Sequence, residues 1–60
     1  MDTKTFLASI GGREYMYVIN EMIISEFSRI KGDEEWIHLF TTSQGEGYNK
    51  RLNEIMKIVK

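Results

Sequence analysis

Apolar and polar positions alternate from early in the chain. In Lys4–Ile10 (KTFLASI), Phe6, Ala8 and Ile10 alternate with Thr5, Leu7 and Ser9, the period of a strand. Gly11-Gly12 follows, and then REYMYVI to Ile19. Two β-rich runs separated by Gly-Gly predict a hairpin, because a two-residue primed turn needs positive φ at both central positions. The second run is apolar on both faces, with Met16 and Val18 on one and Tyr15, Tyr17 and Ile19 on the other. Such a strand is covered on both sides, or one side meets another subunit.

After Asn20 the period changes. Ile23, Ile24, Phe27 and Ile30 fall on one helical stripe. Asn20 suits an N-cap, Glu21 a first turn, Arg29 and Lys31 a last turn, and Gly32 the C′ position. These signals predict a short helix over 21–31. The rival is one long helix from Arg13 to Lys31, with Tyr15, Val18, Ile19, Met22, Ile23, Phe27 and Ile30 on a broad face. Glu26 would sit near the middle of that face, where an unpaired carboxylate is costly, so the hairpin and short helix are preferred.

Asp33-Glu34-Glu35 reads as an acidic turn, and Trp36–Thr42 (WIHLFTT) as a strand on its aromatic and β-branched content. Trp36, His38 and Phe40 would share one face, and Ile37, Leu39 and Thr41 the other. A helix capped by Asp33 is the alternative. Beyond a polar run from Thr41 to Arg51, Tyr48–Lys60 carries the clearest helical stripe: Tyr48, Leu52, Ile55, Met56 and Val59. Glu54 and Lys57 can pair, and Lys57 and Lys60 suit the C-terminus. The fold class expected is α+β, a small ββαβα domain with two short amphipathic helices on a small antiparallel sheet. The alternative is an all-α domain of three helices.

Composition makes self-association part of the picture. The chain has 60 residues, which is one domain near the lower limit for folding alone. Burying roughly 3,500 Å² of apolar area gives about 90 kcal/mol, and ordering the chain at about 1.5 kcal/mol per residue costs about the same. With no cysteine and one histidine, neither a disulfide nor a structural zinc site can close the gap. Hydrophobic content is 42%, so a homodimer or homotetramer is expected. Net charge is −1 and the pI about 5.7, which disfavours binding to nucleic acid. No window is long and apolar enough for a membrane span, no signal peptide is visible, and the absence of cysteine suits a cytoplasmic location.

The polar run TTSQGEGYNKR offers the candidate chemistry. Thr41, Thr42 and Ser43 supply hydroxyls, Gln44 an amide, and Gly45 and Gly47 close backbone approach, ahead of a helix N-terminus. Lys50 and Arg51 lie in the first helical turn, where cations are unfavourable unless an anion joins them. The spacing is neither a Walker nor a dinucleotide-binding motif. The plainer reading is a capping box, Ser43 with Glu46, and solvated cations. Tyr15, Tyr17, Trp36, Phe40 and Tyr48 could stack on a nucleobase, yet aromatics are also the best filler of cores and interfaces. Tyr15, Tyr17, Trp36 and Phe40 are therefore assigned to the interface, and Tyr48 to the ligand set.

His38, between two aromatics, reads as a partly buried, hydrogen-bonded side chain, because no nucleophile or orienting partner is legible. The acidic turn reads as solvated, since no EF-hand spacing is present. No cofactor, metal site or enzymatic activity is expected. Two functions remain. The first is a non-enzymatic binder that sequesters a small anionic ligand, most plausibly a nucleotide or cyclic nucleotide, at a subunit interface. The second is a small inhibitor or regulator of a larger host protein, with no small ligand. Small acidic cysteine-free chains of both kinds occur among phage-encoded anti-defence proteins, an expectation of class that rests on no residue match.

Overall fold

The computed structural model describes residues 2–59, so the Lys60 expected at the helix end lies outside the described residues. Four strands, β1 (Lys4–Ile10), β2 (Arg13–Ile19), β3 (Ile23–Ile30) and β4 (Ile37–Ser43), are followed by one helix, α1 (Tyr48–Ile58). The strands form one antiparallel sheet in the order β1-β2-β3-β4, a plain meander. The expected hairpin is present: Gly11 and Gly12 have φ of 57° and 82°, and Ile10 pairs with Arg13 across them.

The short helix predicted over 21–31 is instead strand β3, and with it the order ββαβα and the all-α alternative are replaced. Asn20 does not cap a helix. Its Oδ1 accepts hydrogen bonds from the backbone N–H groups of Met22 and Ile23 at 2.7 and 2.9 Å, which shapes the β2–β3 turn. Strand alternation was hidden because the covered face of β3 is not uniformly apolar. Ile24, Glu26 and Ser28 all point under the helix and are buried. Arg51 pairs with Glu26, and Arg13 Nη2 donates to Ser28 Oγ at 3.1 Å. Buried polar groups satisfied in this way belong to the core, although their residue types read as surface.

α1 covers one face of the sheet. Its stripe holds as expected: Tyr48 and Ile55 are buried with Tyr17, Ile19 and Ile24, and Leu52, Met56 and Val59 pack against them. Phe6, Ala8 and Tyr15 extend that layer across β1 and β2. No chain element covers the other face among the described residues. β4 carries a bulge: Glu26 pairs with Phe40 and Phe27 with His38, leaving Leu39 without a partner on β3. The bulge reverses the expected alternation. His38 lies on the open face beside Phe27, whereas Phe40 lies on the helix face within reach of Arg51.

Candidate functional site

The polar run is shorter as a loop than its composition suggests. Thr41, Thr42 and Ser43 belong to β4, and Tyr48, Lys50 and Arg51 to α1, so only Gln44–Gly47 connects them. The Gln44 side chain donates to the Glu21 carbonyl at 2.7 Å and its backbone N–H to the Met22 carbonyl at 3.1 Å, which fastens this turn to the β2–β3 turn. Ser43 Oγ donates to Glu46 Oε1 at 2.5 Å. The pair does meet, but side chain to side chain. Gly47, with φ of 91°, is the N-cap and makes no side-chain capping bond, so the expected capping box is not formed.

The candidate ligand residues have other duties. Thr41 Oγ1 is 2.9 Å from His38 Nε2. Thr42 stands half-buried opposite Ile24. The Tyr48 hydroxyl donates to the Asn20 carbonyl, and its ring is in the core, away from any stacking partner. Arg51 Nη2 and Nε donate to the two carboxylate oxygens of Glu26 at 2.6 and 2.7 Å, and Nη1 donates to Glu54 at 3.1 Å. Hydrogen bonds to Glu26 push the Arg51 pKa above its ordinary value, desolvation pulls it back, and Glu54 raises it further. The guanidinium is therefore a structural cation. Gln44, Gly45, Glu46 and Gly47 in the turn, and Lys50 in the first turn of α1, are left exposed.

The candidate interface residues divide in the same way. Tyr17 is 3% exposed and Tyr15 packs against the core, so both lie beneath the helix. Burial, followed by the charge of Glu26, raises the Tyr17 pKa against the opposing effect of Arg51. Phe40 is exposed at the β4 edge. Trp36 lies on the open face, where the Arg29 guanidinium sits 4.2 Å above its ring.

The open face has an apolar middle. Strand pairing aligns Leu7, Met16, Phe27 and His38 in one row across all four strands. Leu7 is 66% exposed, and the Phe27 and His38 rings are 5.2 Å apart, tilted by 57°. The adjoining row is Thr5, Val18, Ser25 and Thr41. On the other side Arg29 Nε donates to Glu14 Oε1 at 2.8 Å, which neutralises both charges. A shallow cavity of about 160 Å³ lies between Leu7, Ser9, Glu14, Arg29 and Trp36. Leu7, Met16 and Phe27 were not singled out from sequence. Their signal was the apolar character of β2 on both sides, which requires a second cover beyond the helix.

Among the described residues, no group of three acidic or histidine side chains is arranged to hold a metal ion, and no helix is long and apolar enough to cross a membrane. No protein-family model, curated protein or solved structure matches the chain.

Proposed function

We propose that this is a non-enzymatic protein-binding domain, an inhibitor or regulator, whose working surface is the open face of the sheet. The observation that carries this reading is the apolar row Leu7–Met16–Phe27 on the sheet face that α1 does not cover, with Leu7 exposed and Met16 and Phe27 half-buried. Contiguous exposed apolar surface framed by polar groups marks a protein-contact site. Here the frame is made of hydroxyls from Thr5, Ser9, Ser25 and Thr41, and the Glu14–Arg29 charge pair on the face is internally neutralised. The complementary partner is an apolar, uncharged patch on a folded protein. An anionic membrane gains little here, because the Arg29 charge is already matched by Glu14.

Anion capture at the Gln44–Gly47 turn is the weaker reading. Arg51 is held by Glu26, Tyr48 is in the core, and the Glu46 carboxylate is itself part of the turn, accepting from Ser43 Oγ. His38 has a hydroxyl rather than a carboxylate as its hydrogen-bond partner, which does not orient it as a general base.

The test pairs two surfaces. Affinity capture followed by reconstitution with the purified partner should give a complex that Met16→Thr/Phe27→Thr weakens at least tenfold while far-UV circular dichroism stays unchanged. Lys50→Ala should leave that complex intact. Stoichiometric nucleotide binding by the wild type that is lost in Lys50→Ala would replace this reading with ligand capture. Binding to anionic vesicles with no protein partner would replace it with membrane association.

A further inference from the structure

The meander leaves two edges, and they are not equivalent. β4 is interrupted by the Leu39 bulge, one of the devices that blunts an edge against pairing. β1 has no such protection. Its seven residues pair with β2 in unbroken register, without proline or bulge, and Lys4 is its one charge.

Hairpin geometry decides which β1 groups face outward. The residues that flank a two-residue primed turn, here Ile10 and Arg13, form a hydrogen-bonded pair, and the pattern alternates from there. Ile10, Ala8, Phe6 and Lys4 thus bond to β2. Ser9, Leu7 and Thr5 direct their backbone N–H and C=O groups away from the sheet.

We infer that β1 pairs antiparallel with β1 of a second copy, about a two-fold axis at Leu7, to give a continuous eight-stranded sheet. Leu7 is the central residue of the seven, so this register overlaps the whole strand. It makes Leu7 opposite its own copy a hydrogen-bonded pair, and Thr5 opposite Ser9 two more. Every outward group then has a partner, in six hydrogen bonds counted from the alternation.

The side chains suit the same register. The two Leu7 side chains, 66% exposed in one protomer, meet on the open face. On the helix face Phe6 falls opposite Ala8, large against small. Lys4 falls opposite Ile10, whose exposed surface its alkyl stem can cover. The two Lys4 charges lie at opposite ends of the junction, so no like charges meet.

This arrangement deepens the protein-binding reading and rests on it for its purpose. The two-fold stands perpendicular to the sheet, so both helices fall on one side and both open faces on the other. One sheet of four strands covers about 440 Å², taking about 4.8 Å between strands and about 3.3 Å per residue. That is well below the area of about 800 Å² per partner in a standard interface, and the joined platform of about 880 Å² matches it.

The test removes one hydrogen atom. A chain of this length can be made synthetically with N-methyl-leucine at position 7, which deletes the outward N–H and keeps the side chain. Light scattering coupled to size exclusion should show a dimer for the wild type and at least a tenfold weaker dimer for the N-methyl chain, with unchanged circular dichroism. Should that chain fail to fold, amide exchange of the wild type gives the second readout. Thr5, Leu7 and Ser9 amides should be protected at high protein concentration and lose protection on dilution. A monomeric wild type at about 1 mM, a dimer indifferent to N-methylation, or concentration-independent exchange would overturn the pairing. A β1-paired dimer whose open face binds no protein would instead leave the pairing intact and remove the binding reading.

Discussion

Arg51 reaches across 25 residues of sequence to hold both carboxylate oxygens of Glu26, at 2.7 and 2.6 Å, where α1 crosses β3. The two ends of this pair differ in their access to water. Glu26 is 2% exposed and the Arg51 side chain 27% exposed. Loss of the arginine therefore strands a carboxylate in the core. Loss of the glutamate leaves a guanidinium that still has Glu54 and solvent. Arg51→Met should cost about 3–5 kcal/mol, enough to unfold a domain of this size, and Glu26→Gln clearly less. The double substitution Glu26→Leu/Arg51→Met should recover most of the loss, because apolar replacement of a buried pair is often neutral. Urea melts of the three variants measure this, and equal costs for the two single changes would contradict it.

Tyr17 gives the protein an alkaline limit. Its pKa is raised above the ordinary 10.0, first by burial and then by the charge of Glu26. A raised value means that the unfolded chain releases this proton first. The contribution is complete below about pH 10 and is lost as pH climbs through the folded value. Tyr17→Phe should therefore lose less stability than the wild type as pH rises above about 10. Denaturant melts across that range decide it, and parallel declines would remove Tyr17 as the cause.

Asn20 is a turn residue rather than a helix cap, and the two roles predict different consequences. Two backbone N–H groups, of Met22 and Ile23, depend on its Oδ1. Asn20→Ala should cost about 1–2 kcal/mol and Asn20→Asp little, since the aspartate keeps the acceptor. Amide exchange should quicken first at Met22 and Ile23. No change in thermal midpoint for Asn20→Ala would show that the turn holds without its side chain.

The parts of the fold legible in the sequence were those whose signals are local. Gly11-Gly12 declares a primed turn, and the Tyr48–Val59 stripe declares an amphipathic helix. β3 was not legible because Glu26 and Ser28 occupy covered positions. What makes them tolerable, Arg51 and Arg13, lies far away in sequence. The same distance misled the site reading. Cations at a helix start suggest an absent anion, and here the anion is a carboxylate of the chain itself. The aromatic residues divided according to which sheet face each one occupies, which depends on a register that composition does not encode.

The bulge supplies the last prediction. With Leu39 unpaired between Phe40 and His38, each neighbour stands on the face that an uninterrupted ladder would give it if Leu39 were absent. Deleting Leu39 should therefore leave Phe40 on the helix face and His38 beside Phe27, with regular pairing from Ile37 to Ser43. The stability change should be within about 1–2 kcal/mol, the ordinary scale of single changes. Deleting Thr41, which pairs with Ser25, also lets the ladder close without a bulge, but it moves Phe40 opposite Ser25 on the open face and Leu39 opposite Glu26 on the helix face, while His38 keeps Phe27 as its partner. That variant should keep β4 paired and lose the approach of Phe40 to Arg51. Backbone amide shifts and cross-strand contacts in nuclear magnetic resonance spectra distinguish the two. If the Leu39 deletion unfolds the domain, the bulge is required for the twist that seats α1, and more than an inserted residue is at stake. The deletion carries a second consequence, because it removes the device that blunts the β4 edge. A chain without Leu39 should aggregate more readily than the wild type at equal concentration, now having two regular edges in place of one.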